Sequence, residues 1–212
     1  YPDPLMPAFD LRISMPAEGG VRDYMRSTNF RTGETTVHWS DRRGVFERRL
    51  FVSRADGIAV LRITGPGTAS VDCRLELSPR EPNNRRFKED VTNLTTTVDA
   101  STLTFRHGFA HAYAGSVQGL EGVARIVARN GRTATDGAAL TVKGADEVLV
   151  FIDIQVLDDL DKSRIEQTKK ALAAMPEDYA SLLARHAKIH GDLFGRMRLD
   201  LGGGFEERLT VT

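Results

Sequence analysis

The chain has 212 residues, 41% hydrophobic and 27% charged, an ordinary composition for a folded globular protein. Lys+Arg and Asp+Glu number 29 each, so the net charge is near zero and gives no electrostatic reason to expect nucleic acid or an anionic membrane as partner. The single cysteine, Cys73, excludes an intrachain disulfide, and no apolar run approaches the length of a membrane span.

The chain opens YPDPLMPAFDL without an initiating Met and ends FEERLTVT, and both ends read as cut from a longer protein. Residues 1–157 read as strands. RDYMRSTNF and ETTVHWSD are separated by Arg31, Thr32 and Gly33, a hairpin-length break, and GVFERRLFVSR and GIAVLRITG follow. The clearest strand is Val71 to Leu77: Val71, Cys73, Leu75 and Leu77 share one face and Asp72, Arg74 and Glu76 the other, the period-2 pattern of a sheet with one wet face. Ser78 to Asp90, with two prolines and many charges, reads as the longest loop, and Arg80, Arg85, Arg86 and Lys88 make it locally basic. VTNLTTTVDA, STLTFRHG, AHAYAGSVQG and GVARIVARNG read as further strands at the spacing of a sandwich. DEVLVFIDIQV is apolar on both faces at its start, which predicts a central strand covered on both sides.

Past Leu157 the period lengthens. Ser163-Arg-Ile-Glu166 has the form of a capping box ahead of a three-turn helix. Pro176, Glu177 and Asp178 suit the start of a second helix, along which Tyr179, Leu182, Leu183, His186, Ile189, Leu193 and Phe194 form an apolar stripe. Arg198 to Leu201 reads as a return strand. The expected organisation is therefore a mainly β, two-sheet antiparallel sandwich over 1–157, a helical linker over 158–196, and a return strand with an onward connection over 197–212.

Candidate chemistry is sparse. His186 and His190, four residues apart, share a helix face that a metal could bridge. A zincin would need Glu at 187, where this chain has Ala187, so a packing and hydrogen-bonding role at a domain boundary is the expectation. Gly202 to Gly204 are not followed by a phosphate-binding helix, and Ser53 and Ser181 lack nucleophile-elbow glycines. Asp153 lies in the most apolar strand, as a carboxylate of raised pKa or a hydrogen-bond acceptor. Trp39, Tyr24, Phe46 and Tyr113 are candidates for a sugar-stacking surface or for core, and Asn93-Leu-Thr95 is a glycosylation sequon. No pair of carboxylates stands out as acid and base. The reading assigns no catalytic, cofactor-binding or metal residue and expects no cofactor.

DYMRSTNFRTGETTVHW and RRLFVSRADGIAVLRI, with Arg48, Phe51, Ser53 and Asp56, resemble the N-terminal domain of family 95 glycoside hydrolases, the α-L-fucosidases and their relatives. Arg49 departs from that pattern, where Glu is common. ADEVLVFIDI is similar to the family's late core strand, YASLLARHAKIHGDLFGRMRLDLGG to the segment preceding its catalytic barrel, and FEERL to the step after it. The resemblance implies a β-supersandwich joined by helices to an (α/α)6 barrel of the same polypeptide, where an inverting hydrolysis of a glycan substrate would occur. It also implies a secreted or cell-surface parent protein. On this reading the chain is a non-catalytic support that lends its Ser78–Asp90 loop to the sugar pocket; an independent carbohydrate-binding sandwich is the alternative.

Overall fold

A computed structural model describes residues 7–80, 90–110, 112–113 and 115–196. Twelve strands are followed by two helices among these residues: β1 (Asp10–Ser14), β2 (Arg22–Asn29), β3 (Glu34–Asp41), β4 (Gly44–Val52), β5 (Ala59–Thr64), β6 (Val71–Ser78), β7 (Val91–Val98), β8 (Thr102–Phe109), β9 (Gly119–Arg129), β10 (Arg132–Asp136), β11 (Ala139–Ala145), β12 (Glu147–Leu157), α1 (Ile165–Ala173) and α2 (Tyr179–Phe194). They build two antiparallel sheets, one of eight strands in the order β2-β3-β4-β5-β12-β9-β8-β7 and one of four in the order β1-β6-β11-β10.

Strand β12 sits between β5 and β9, and Val148, Leu149, Val150 and Phe151 are all fully buried. Val148 and Val150 join Leu61, Ile63, Val71, Leu75, Leu103, Phe105 and Leu140 in the core between the sheets. Leu149 and Phe151 face the other way, joining Phe51, Val60 and Val123 under Leu172, Tyr179 and Leu182 of the helices. The mainly β sandwich is thus a three-layer structure whose third layer is helical.

Strand β6 alternates as its sequence predicts: Val71, Cys73, Leu75 and Leu77 are buried, and the other face pairs Asp72 with Lys143 and Arg74 with Glu76 and Asp136. Burial pushes the Cys73 thiol up to about 12, so it is an inert core residue.

Several expectations are revised. Strands β1, β10 and β11 carry little sequence signal: β1 is short and set between prolines, and all five residues of β10 are exposed. The segment AHAYAGSVQG is not a strand before Gly119; its described residues form a turn in which Ser116 Oγ donates to the Tyr113 carbonyl at 2.8 Å. Helix α2 starts at Tyr179 rather than at Pro176, because Asp178 caps it by accepting from the Ala180 N–H at 3.1 Å. Residues 81–89 of the basic loop, the return strand at 198–201 and Gly202 to Gly204 lie outside the described residues.

The capping box at Ser163 also does not form. The Ser163 hydroxyl donates instead to Glu121 Oε2 at 2.9 Å, the Arg164 N–H donates to Glu121 Oε1 at 2.5 Å, and Glu166 pairs with Lys169. A carboxylate from β9, only 1% exposed, therefore holds the start of α1, with Arg106 3.6 Å away as its counter-charge. Removing it leaves two donors and a guanidinium facing a void. Glu121→Ala is expected to lower unfolding free energy by roughly 2–3 kcal/mol in urea titrations, with Glu121→Gln losing less. A change within experimental error would show that α1 is anchored by other contacts.

Candidate functional site: a helix-to-sheet junction

The polar chemistry of residues 158–196 gathers where α2 crosses the β2–β3 and β4–β5 turns. Tyr179, Leu182 and His186 form the buried face of the helix. Phe51 receives them: the Tyr179 ring meets it edge-on at 5.3 Å, and the His186 ring stacks on it at 5.1 Å and 21°. The Tyr179 hydroxyl donates to Glu34 Oε1 at 2.9 Å, and burial followed by the Glu34 charge raises its pKa above the ordinary phenol value.

The two histidines read the backbone of the turns. His186 Nδ1 accepts from the Arg54 N–H at 3.1 Å, which leaves the proton on Nε2 in the neutral ring. Nε2 is buried without a well-formed partner, the backbone of Thr32 being only a weak one. His190 bonds the Phe30 carbonyl through Nε2 at 2.9 Å and so donates there, and its Nδ1 accepts from Arg54 Nε at 3.3 Å. The rings stand 5.2 Å apart. Three of their four nitrogens are committed to protein partners, and the described residues contain no group of three or more His, Cys, Asp or Glu side chains suited to a metal.

The β4–β5 turn is itself braced. Ser53 Oγ donates to Asp56 Oδ2 at 2.7 Å, and the other carboxylate oxygen of Asp56 pairs with Arg185 of α2 at 3.0 Å. Of the residues singled out in the sequence, Phe51 and Asp56 thus meet α2 directly, through the Tyr179 and His186 rings and through Arg185, and Ser53 braces Asp56. On the β2–β3 side, Asn29 Oδ1 accepts from the Arg31 and Thr32 N–H groups, and Gly33 completes the turn at φ +65°. A Cβ on Gly33 would approach His186 Nε2 to 3.0 Å and the His190 ring to 3.2 Å.

The remaining sequence candidates do not converge. Asp153 accepts from Gln155 Nε2 at 2.8 Å in a half-buried position, and Ser181 Oγ donates to the Asp178 carbonyl. Trp39 and Phe46 are buried and stacked on each other at 5.5 Å, whereas Tyr24 is exposed on β2 and Tyr113 lies in the β8–β9 loop. Asn93 sits exposed at a bulge of edge strand β7 with φ +52°. Arg80 pairs with Asp10 at 3.0 Å. Glu121 and Arg54 were not visible as anchors in the sequence, since the partners of both lie far along the chain: Ser163 and Arg164 for Glu121, His186 and His190 for Arg54.

Two outcomes follow for the junction. Gly33→Ala combines a left-handed backbone with a close approach to two packed rings, and is expected to cost about 1–3 kcal/mol in chemical denaturation, with near-wild-type stability refuting the tight turn–helix fit. Burial, then the neighbouring His190 and Arg54, lowers the His186 pKa from its ordinary 6.5. Below pH 6.5 the unfolded chain takes up a proton that the folded one resists, so this contribution is complete above that pH and lost as pH falls through the window beneath it. Burial depresses His107 in the same sense. The melting temperature is expected to fall between pH 7.5 and 5.5, and less steeply in His186→Gln; equal slopes would exclude His186 as a contributor.

Among curated proteins none matches the chain. In fold it is similar to a solved structure described as "Putative kojibiose phosphorylase from human microbiome", at TM-score 0.56 and 11% identity, over 87% of this chain and 28% of that one. The chain therefore spans less than a third of that protein's length, and the likeness is one of fold. The family model that matches is narrower in extent and differs from the family 95 assignment suggested by sequence motifs, which it does not support. With residues 3–158 matched, the chain belongs to the family described as glycosyl hydrolase family 65, N-terminal domain.

Proposed function

We propose that the chain is a non-catalytic support for a catalytic (α/α)6 barrel in the same polypeptide, with residues 158–196 as the linker and 197–212 as the start of the connection. The observation that carries this is the junction. One side of α2 is locked to the sandwich through Tyr179, His186 and His190, while Ile189, Leu193 and Phe194 are 41%, 40% and 51% exposed at its far end, beside Phe30 at 70%. The Phe194 ring continues the stack from His190 at 6.4 Å and 11°. An apolar end on a fixed helix suits a neighbouring domain rather than water.

For the parent enzyme, the family 65 match and the structural likeness support disaccharide phosphorolysis, and the motifs around Arg48, Phe51, Ser53 and Asp56 leave a fucosidase-like, inverting glycosidase as the competing activity. A secreted or cell-surface location fits action on external glycans. The carbohydrate-binding alternative needs an aromatic platform in solvent, and burial of Trp39 and Phe46 counts against it.

The test uses the full-length protein and a version lacking residues after 212, each assayed with fucosyl and galactosyl aryl glycosides and with kojibiose plus phosphate. The full-length protein is expected to turn over one of these substrates and the truncated one none. Turnover by the truncated protein would refute the support role, and phosphorolysis without fucoside hydrolysis would refute the fucosidase-like assignment.

A further inference from the structure

The two sheets are unequal, and the smaller leaves part of the larger bare. The inter-sheet core draws on β5, β12, β9 and β8 of the eight-stranded sheet. On the same face β2, β3 and β4 extend past it. One cross-strand row runs Arg26–Val37–Arg48–Ile63 and ends at Ile63, fully buried in that core. The next runs Thr28–Thr35–Leu50–Leu61, with Leu50 40% exposed and Val52, farther along β4, 64% exposed.

Arg48 is out of place there. Its guanidinium lies over Trp39 at 5.0 Å, and its Nε is buried with no hydrogen-bond partner. Burial, reinforced by the like charge of Arg26, holds it below the ordinary arginine value. Arg26 lies over the Tyr24 ring at 5.4 Å and donates from Nε to the Tyr24 hydroxyl at 2.5 Å. Neither has a carboxylate partner among the described residues. Neighbouring cations of the same sheet do: Arg43 pairs with Asp41, Arg49 with Glu47 and Arg62 with Glu147. A half-buried cation without a counter-charge is unfavourable unless something supplies one.

We propose that this face docks an acidic segment of the same polypeptide lying outside residues 1–212. Its aspartate or glutamate pairs with Arg48 and Arg26, and its apolar side chains cover Leu50 and Val52. The proposal rests on the reading of the chain as part of a larger enzyme, which its span of 28% of a similar chain supports. Arginine, tyrosine and aliphatic side chains around a desolvated centre are the composition of a protein interface. A second copy fits poorly, since a two-fold contact through this face would bring the Arg26 and Arg48 pairs against each other. A sugar fits poorly because the Trp39 ring is already covered by Arg48 and Phe46.

The test is made on the full-length protein. An arginine-specific dicarbonyl should modify Arg26 and Arg48 about tenfold more slowly than Arg42, whose side chain is 74% exposed. In an Arg48→Lys variant, a zero-length carbodiimide cross-link should join position 48 to an aspartate or glutamate beyond residues 1–212 of the same chain. Modification of Arg26 and Arg48 as fast as Arg42, protection that appears only with added glycan, or a cross-link between two separate copies would overturn the proposal. Those results leave the support role standing if the full-length enzyme is active, whereas catalysis by the truncated protein fails that role whatever the labelling shows.

Discussion

The first half of strand β12, Val148 to Phe151, has no wet face. Val148 and Val150 point one way, Leu149 and Phe151 the other, and β5 and β9 close both edges. Fully burying side chains of this size contributes about 1.5–3 kcal/mol each, so the fold must cover the strand from both directions. The four-stranded sheet does this on one side and the helices on the other. The three-layer arrangement, and the placing of α1 and α2 against the sheet, follow from that requirement.

The helices are consequently part of the core. The family match ends at residue 158, yet Leu172 and Leu182, 1% and 0% exposed, roof Phe51, Leu149 and Phe151. Their polar anchors come from the sheet. Glu121 holds the beginning of α1, and Arg125 donates to the Leu172 carbonyl at its end at 3.1 Å while pairing with Glu177. The segment expected from the sequence to be a linker is, in space, the third layer of this domain.

How much of this the sequence displayed depends on the range of each interaction. Alternation at Val71 to Leu77 and two-sided apolarity at Val148 to Phe151 are local, and both were legible. The stripe from Tyr179 to His186 was legible for the same reason. Strand β10, RTATD, buries nothing and is held by its ladder to β11, so it leaves no hydrophobic trace. Ser163 carried a true helix-start signal, but its hydroxyl went to Glu121, 42 residues earlier, and the local box lost to a tertiary one. The partners of His186 and His190 in the β4–β5 turn lie 132 and 136 residues away, beyond any reading of spacing.

Why the junction uses hydrogen bonds, when apolar contact already provides the attraction, is answered by geometry. Apolar burial is non-directional; a helix resting on Phe51 and Phe151 through Leu182 alone could slide or rotate with small loss. Bonds from His186 to the Arg54 N–H, from His190 to the Phe30 carbonyl and from Tyr179 to Glu34 have fixed directions and fixed partners on two separate turns. A slip of one helical turn would break all three. The pair of imidazoles therefore sets the register of α2 on the sheet, and with it the direction in which the chain leaves at Gly195. Under the proposed support role, that register matters more than the net free energy of the bonds that fix it.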